Sequence, residues 1–149
     1  MPYTEAFMYE TLRQSSIVPF GLLHQAMETT TVADYTVPEG TWVGVNLHFI
    51  HHDPSIWGDP ENFRPERFLS PDGDRVVKNE NLMPFSTGKR VCIGEQIAKD
   101  TFFLFLTGIM QRFVISFDPN CVRPSLTENN NPLFIVAPPF HVIVKDRTI

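Results

Sequence analysis

The sequence predicts a mainly α chain with small β-sheets, an α+β architecture. Three observations predict it. Residues 2–15 read as a helix that opens on Pro2, where a missing N–H costs nothing. Residues 93–112 read as a second helix, apolar nearly all round at Phe102, Phe103, Leu104, Phe105 and Leu106. Between and after them lie short β-favouring runs punctuated by turn residues.

Composition sets the bounds. The 149 residues suffice for one ordinary core. With 42% hydrophobic and 19% charged residues, the chain reads as soluble and globular rather than disordered. A net charge of −5 argues against a nucleic-acid partner. The 13 prolines enforce many turns, and the 13 phenylalanines imply a large apolar interior or pocket. Cys92 and Cys121 do not make a disulfide framework, which favours a reduced compartment. No Asn-x-Ser/Thr acceptor occurs, and no run reaches the roughly 18–20 apolar residues of a membrane span. The first residues have neither a basic region nor an apolar core, so they do not read as a signal peptide.

The elements follow in order. In the first helix Glu10 and Arg13 lie three apart on one face, which as a plain surface pair would contribute well under ~1 kcal/mol. Residues 17–23 form an apolar extended turn around Val18, Pro19, Phe20 and Gly21. Residues 25–47 read as β structure, with strands around Thr29–Val32 and Thr41–Val45 and turns at Asp34 and at Pro38, Glu39 and Gly40. His48, His51 and His52 invite a metal reading, but adjacent histidines cannot share a helical face and no C-x-x-C accompanies them. Asp53 before Pro54 initiates a turn. Residues 70–81 read as an exposed meander with a tight turn at Pro71, Asp72 and Gly73. After the second helix come a short strand at 113–117 and a β-hairpin over 133–144, with Cys121 between them as an inert thiol.

The chemistry concentrates in residues 84–96, a Gly-punctuated loop carrying Cys92 just before a helix. A thiol there sits among unpaired backbone N–H groups at the positive end of the helix dipole, with Lys89 and Arg90 adding positive charge. Such surroundings favour a thiolate, able to attack an electrophile or to bind a soft metal. A buried structural cysteine in a turn is the bland alternative. A phosphate loop at Thr87, Gly88 and Lys89 is excluded, because Met83 stands where it needs glycine and Arg90 where it needs Ser or Thr.

Phe85, Gly88, Arg90, Cys92 and Gly94 stand at the spacing F-x-x-G-x-R-x-C-x-G, which resembles the haem-binding loop of the cytochrome P-450 family of haem-thiolate monooxygenases. Other phrases agree. Glu10 and Arg13 resemble the family's E-x-x-R helix. Residues 35–41 resemble its Y-x-[IV]-P-K-G-T hairpin, with Glu39 in place of Lys. Residues 57–68 resemble its W-x-D-P-x-x-F-x-P-E-R-F phrase.

The resemblance implies the roles. Cys92 would be the axial ligand of the iron of haem b, with Arg90 and His24 pairing with its propionates. Phe85 would cover the porphyrin and the sulfur, and Gly88 and Gly94 would permit positive φ or close backbone approach. Glu10, Arg13 and Arg67 would form a buried charge network behind the haem, and the second helix would support the haem from the thiolate side. Val18, Phe20 and Leu22, with Leu133 and Phe134 in the stretch 131–134, would contact substrate. Lys89 and Lys99 would offer a basic docking spot to a reductase that brings electrons from NADPH. The reaction would insert one atom of O2 into an apolar small molecule, on the cytoplasmic face of the endoplasmic reticulum membrane.

The resemblance covers essentially the whole chain but only the last third of the family's usual length. Residues 1–149 are therefore expected to be a C-terminal fragment of a single domain, without the oxygen-activating helix and the N-terminal membrane anchor, and inactive alone. As a free-standing piece it would expose apolar surface on its phenylalanine-rich helix. A truncated non-catalytic paralogue or interaction module is the alternative. A cysteine hydrolase built on Cys92 lacks a motif for its base.

Overall fold

The computed structural model describes residues 1–125 and 134–148. It is a mixture of helices and small antiparallel sheets. Helix α1 spans Pro2–Ser15 and ends at Ser16, whose left-handed backbone (φ 37°) stops the helix. Its buried positions include Ala6, Tyr9, Glu10 and Arg13, the spacing of a single helical face. That face packs on a 3-10 turn, Pro65–Phe68.

The core is small and sits at this junction. Ala6, Tyr9, Trp57 and Phe68 form it, with Leu12, Ile56, Leu69, Val76 and Leu82 packed around them. The Phe68 ring centroid lies 5.8 Å from those of Tyr9 and Trp57. Two short helices bring Trp57 to it. Helix α2, Leu47–His51, is capped by Asn46, which accepts the Phe49 N–H at 3.0 Å. Helix α3, Pro54–Trp57, is capped by Asp53, which accepts the Ser55 N–H at 2.8 Å and has a proline in its first turn. The Trp57 indole N–H donates to the Ile50 carbonyl at 2.8 Å and so locks α3 against α2.

Three two-stranded antiparallel ribbons complete the described residues. Strand β1 (His24–Gln25) pairs with β4 (Trp42–Val43), and β2 (Thr30–Val32) pairs with β3 (Tyr35–Val37) across the turn at Asp34. Helix α4, Glu95–Arg112, follows the cysteine loop and runs directly into β5, Phe113–Phe117. Strand β5 pairs with β6, Val142–Asp146, with Ile115 opposite Val144.

Two expectations need correction. The apolar run of α4 suggested a buried helix, yet α4 contains no buried residue, and Leu104 and Phe105 are each 67% exposed. An all-round apolar pattern states what a helix can bury, and no second layer among the described residues covers α4. The expected hairpin over 133–144 is not formed among its described residues, 134–144, either. Residues 134–141 are not strand, because Pro138 and Pro139 have no N–H to place in a ladder, and β6 takes β5 as its partner instead. Leu133 and the rest of 126–133 lie outside the described residues.

With so few core residues, Phe68 is expected to matter most. Phe68→Ala should cost about 3–5 kcal/mol in denaturant unfolding. A cost below ~1 kcal/mol would mean that the core is not at this junction.

Candidate functional site: a buried charge network fastened to a cysteine loop

Glu10 and Arg13 face the same way because they lie one helical turn apart. Both are fully buried, and they pair side-on: Arg13 Nε donates to Glu10 Oε2 at 2.8 Å and Nη2 donates to Oε1 at 2.9 Å. Arg67, from the 3-10 turn, donates through Nε to Glu10 Oε1 at 3.1 Å, and the Arg64 backbone N–H reaches the same oxygen at 2.9 Å. One carboxylate thus serves two guanidinium groups.

The remaining donors go mostly to backbone carbonyls, with longer contacts from Arg67 to the Asp59 carboxylate at 3.4 Å and from Arg13 to the Gln14 side-chain oxygen at 3.3 Å. Arg13 donates to His51 O at 2.6 Å and Pro60 O at 2.7 Å. Arg67 donates to the carbonyls of Trp57 at 2.8 Å, Asp59 at 3.2 Å and Asn62 at 3.0 Å. Both guanidinium groups also lie over the Trp57 ring, at 5.4 and 6.0 Å. Burial pushes the Glu10 carboxyl up, but the Arg13 hydrogen bonds, the Arg64 N–H and the two positive charges outweigh it and hold Glu10 below the usual carboxylate range. Its contribution to stability is therefore complete above that range and fades as pH falls through the lowered value.

His51 extends the network. Its Nε2 accepts the Met83 backbone N–H at 3.1 Å, so the ring proton sits on Nδ1, which faces Ser16 Oγ at 3.0 Å. Ser16 Oγ in turn donates to the Arg13 carbonyl at 2.8 Å. Met83 begins the cysteine loop: its carbonyl accepts the Ser86 N–H at 3.0 Å, and the Phe85 carbonyl accepts the Cys92 N–H at 2.9 Å. Sequence reasoning missed this role. His51 stood out only as a metal candidate, and no local pattern marks a contact with a residue so far along the chain.

The loop turns on two left-handed residues, Ser86 (φ 65°) and Gly88 (φ 76°), the second being a conformation that glycine adopts without strain. A 3-10 turn, Gly88–Arg90, carries the two basic residues, and both are exposed. Cys92 is exposed, and its carbonyl accepts the Glu95 N–H at 3.3 Å in the first turn of α4. Gly94 lies beside the sulfur: a Cβ there would stand 3.8 Å from Cys92 Sγ. Val91 and Ile93, which flank Cys92 in the chain, and Ile97 in the first turn of α4 are exposed.

The other predicted residues are dispersed. Phe85 is half-buried and lies 5.7 Å under the Lys99 ammonium, which also pairs with Glu95 at 2.5 Å. Tyr9, Leu12, Lys78, Leu82, Phe85 and Lys99 line a hollow of about 160 Å³ behind the loop. His24 is exposed in β1. Val18 is half-buried, whereas Phe20 and Leu22 are exposed. The Ile135 N–H donates to the Ile17 carbonyl at 2.9 Å, which brings the segment carrying Phe134 alongside the one carrying Val18. Cys121 is partly exposed, and its N–H donates to Asp118 O at 3.1 Å.

Comparison with known proteins gives these residues a context. The family model described as Cytochrome P450 matches residues 1–144. The chain belongs to the cytochrome P450 family. It is 40% identical over 147 residues to human cytochrome P450 2U1, covering 99% of this chain and 27% of that protein. It is 42% identical over 147 residues to farnesoate epoxidase of Bombyx mori, covering 99% and 29%. It is 43% identical over 145 residues to human cytochrome P450 2S1, covering 97% and 29%. The chain thus spans well under a third of the length of these relatives. Membership implies a haem iron cofactor. No helix among the described residues is long and apolar enough to cross a membrane.

Removing one partner of the buried network should be costly, because it strands charges without water. Arg13→Leu is expected to lose about 3–5 kcal/mol in equilibrium unfolding, and Glu10→Leu,Arg13→Leu together less than the sum of the two. Strict additivity in that double-mutant cycle would show that the pair is not coupled.

Proposed function

We propose that this chain forms the thiolate side of a haem-thiolate monooxygenase, with Cys92 as the axial ligand of haem iron. The observation that carries the reading is an exposed thiol on a loop pinned to a buried charge network and leading straight into a helix. The loop's residues suit a haem. The exposed side chains of Val91, Ile93 and Ile97 would lie against a flat macrocycle, and Gly94 leaves the sulfur uncrowded. Arg90 has no hydrogen-bond or ion-pair partner among the described residues, so its planar fork is available to a propionate. His24 is proposed as a second propionate contact and Phe85 as a cover for the sulfur. Gly88 supplies the turn that presents them.

When bound, the haem would supply an iron centre able to activate O2 for insertion of one oxygen atom into an apolar small molecule. One relative is named an epoxidase, and the proposed reaction is of that oxygen-inserting type. Val18, Phe20 and Leu22, with Phe134 and Leu133, are assigned to the substrate side. The hydrogen bond between Ile135 and Ile17 supports that grouping for the two described segments.

The chain is further proposed to be the C-terminal third of one domain. The bare face of α4 and the apolar groove of Met1, Phe7, Leu106 and Met110 between α1 and α4 support that. The whole protein would take electrons from NADPH through a reductase at the endoplasmic reticulum membrane, which it would reach through an N-terminal anchor. Lys89 is the exposed cation offered to such a partner, whereas Lys99 is already engaged by Glu95.

The reduced, CO-bound absorption spectrum tests the reading. The chain expressed with haem supply should show a Soret band at the red-shifted thiolate position, and Cys92→Ser should abolish it. A band unchanged in Cys92→Ser would assign the iron to another ligand and overturn the proposal. Arg90→Ala should weaken haem retention roughly tenfold, the effect of one lost charge-assisted hydrogen bond.

A further inference from the structure

We propose that His51 is a positioning residue for the Cys92 loop, and that it makes the loop's attachment to the buried network acid-sensitive. The proposal does not depend on any group bound at Cys92, so it stands or falls apart from the haem reading.

The His51 side chain is fully buried, and both of its ring nitrogens are used. On one side Nδ1–H reaches Ser16 Oγ, which closes onto the Arg13 carbonyl at the end of α1. On the other side Nε2 accepts the Met83 N–H. From Met83 the backbone bonds run on through Ser86 and Phe85 to Cys92. His51 therefore joins the Glu10–Arg13–Arg67 network to the loop by way of one acceptor atom.

That atom accepts only while the ring is neutral. A proton on Nε2 would point a donor at the Met83 N–H, and the bond would be lost, leaving the buried imidazolium N–H without an acceptor. The groups facing the ring offer no compensation. From α1 it meets Arg13, whose Nη1 donates to the His51 carbonyl, and beyond it Glu10, whose oxygens already serve Arg13, Arg67 and the Arg64 N–H. On its own helix and the residue after it stand His48 and His52, with ring centroids 4.1 Å apart. Residues 82–85 contain no titratable side chain.

Burial first, then the charges of His52, Arg13 and His48, push the His51 imidazolium down to about 4. When the loop detaches, the ring is opened to water and the part of the lowering that burial gives is relieved, while Arg13, His52 and His48 stay beside it, so its value rises towards the ordinary 6.5 without reaching it. Over the window between these values the detached state takes up a proton that the attached state refuses. Attachment therefore weakens as pH falls from 6.5 towards 4 and is constant above 7.

Amide hydrogen exchange on the full chain between pH 7.5 and pH 5, corrected for intrinsic exchange rates, tests this. Protection of the Met83 amide should fall several-fold, with about thirtyfold as the ceiling set by values of 6.5 and about 4, while the Leu104 amide inside α4 keeps its protection. His51→Gln, whose side-chain oxygen can accept the Met83 N–H but takes no proton, should hold that protection at pH 5. His51→Ala should lack it at both pH values. Nitrogen-edited NMR of the neutral chain should find the His51 proton on Nδ1. A protection flat with pH in the native chain, a His51→Gln chain that follows the native pH profile, or a proton on Nε2 would each overturn the proposal.

Discussion

The Glu10 carboxylate is the point on which the described structure depends. Two guanidinium groups and one backbone N–H converge on it, and none of the three comes from a distant surface side chain that could simply be withdrawn. Taking such charges out of water costs several kcal/mol per ion, and a lone pair in that position would barely break even. What shifts the balance is the excess of acceptors. The two arginines hold five backbone carbonyls from residues 51–62, so the last residues of two short helices and the irregular stretch after them have polar groups satisfied by side chains. The network serves as the hydrogen-bonding framework of a region too rich in proline to build a sheet.

Trp57 shows how the polar and apolar parts reinforce each other. One part of its ring packs in the core with Phe68, its face lies beneath both guanidinium groups, and its N–H ties α3 to α2. A cation placed over a ring that is itself packed loses little additional freedom, so the contact adds order to the network at small entropic cost. The core and the charge network are one unit, and α1 supplies a side of each.

The cysteine loop is attached to this unit at one end and to α4 at the other. Its positive φ values at Ser86 and Gly88 and its short internal bonds shape the turn, and the His51 contact fixes where the turn sits. The thiol is then exposed just before a helix that leaves Ile97, Leu104 and Phe105 largely bare. The asymmetry is physical: one half of the chain buries its polar framework, and the other half holds out apolar surface.

The sequence by itself determined the local features. Pro2 marks a helix start, Asp34, Gly40 and Asp53 mark turns, and the Phe85-to-Gly94 spacing and the residue 57–68 phrase point to the family, because each depends on neighbours a few positions apart. It also put Glu10 and Arg13 on one helical face. Only the tertiary structure decided what lies opposite each face. The apolar pattern of α4 could not say whether a partner layer was present, and the β-favouring run after residue 133 could not say that β5, rather than its own N-terminal half, would be the partner of β6. The role of His51 was hidden for the same reason. Its ring reaches Ser16 and Met83, each more than 30 residues away, and hydrogen bonds across such separations follow from packing, which no local periodicity encodes.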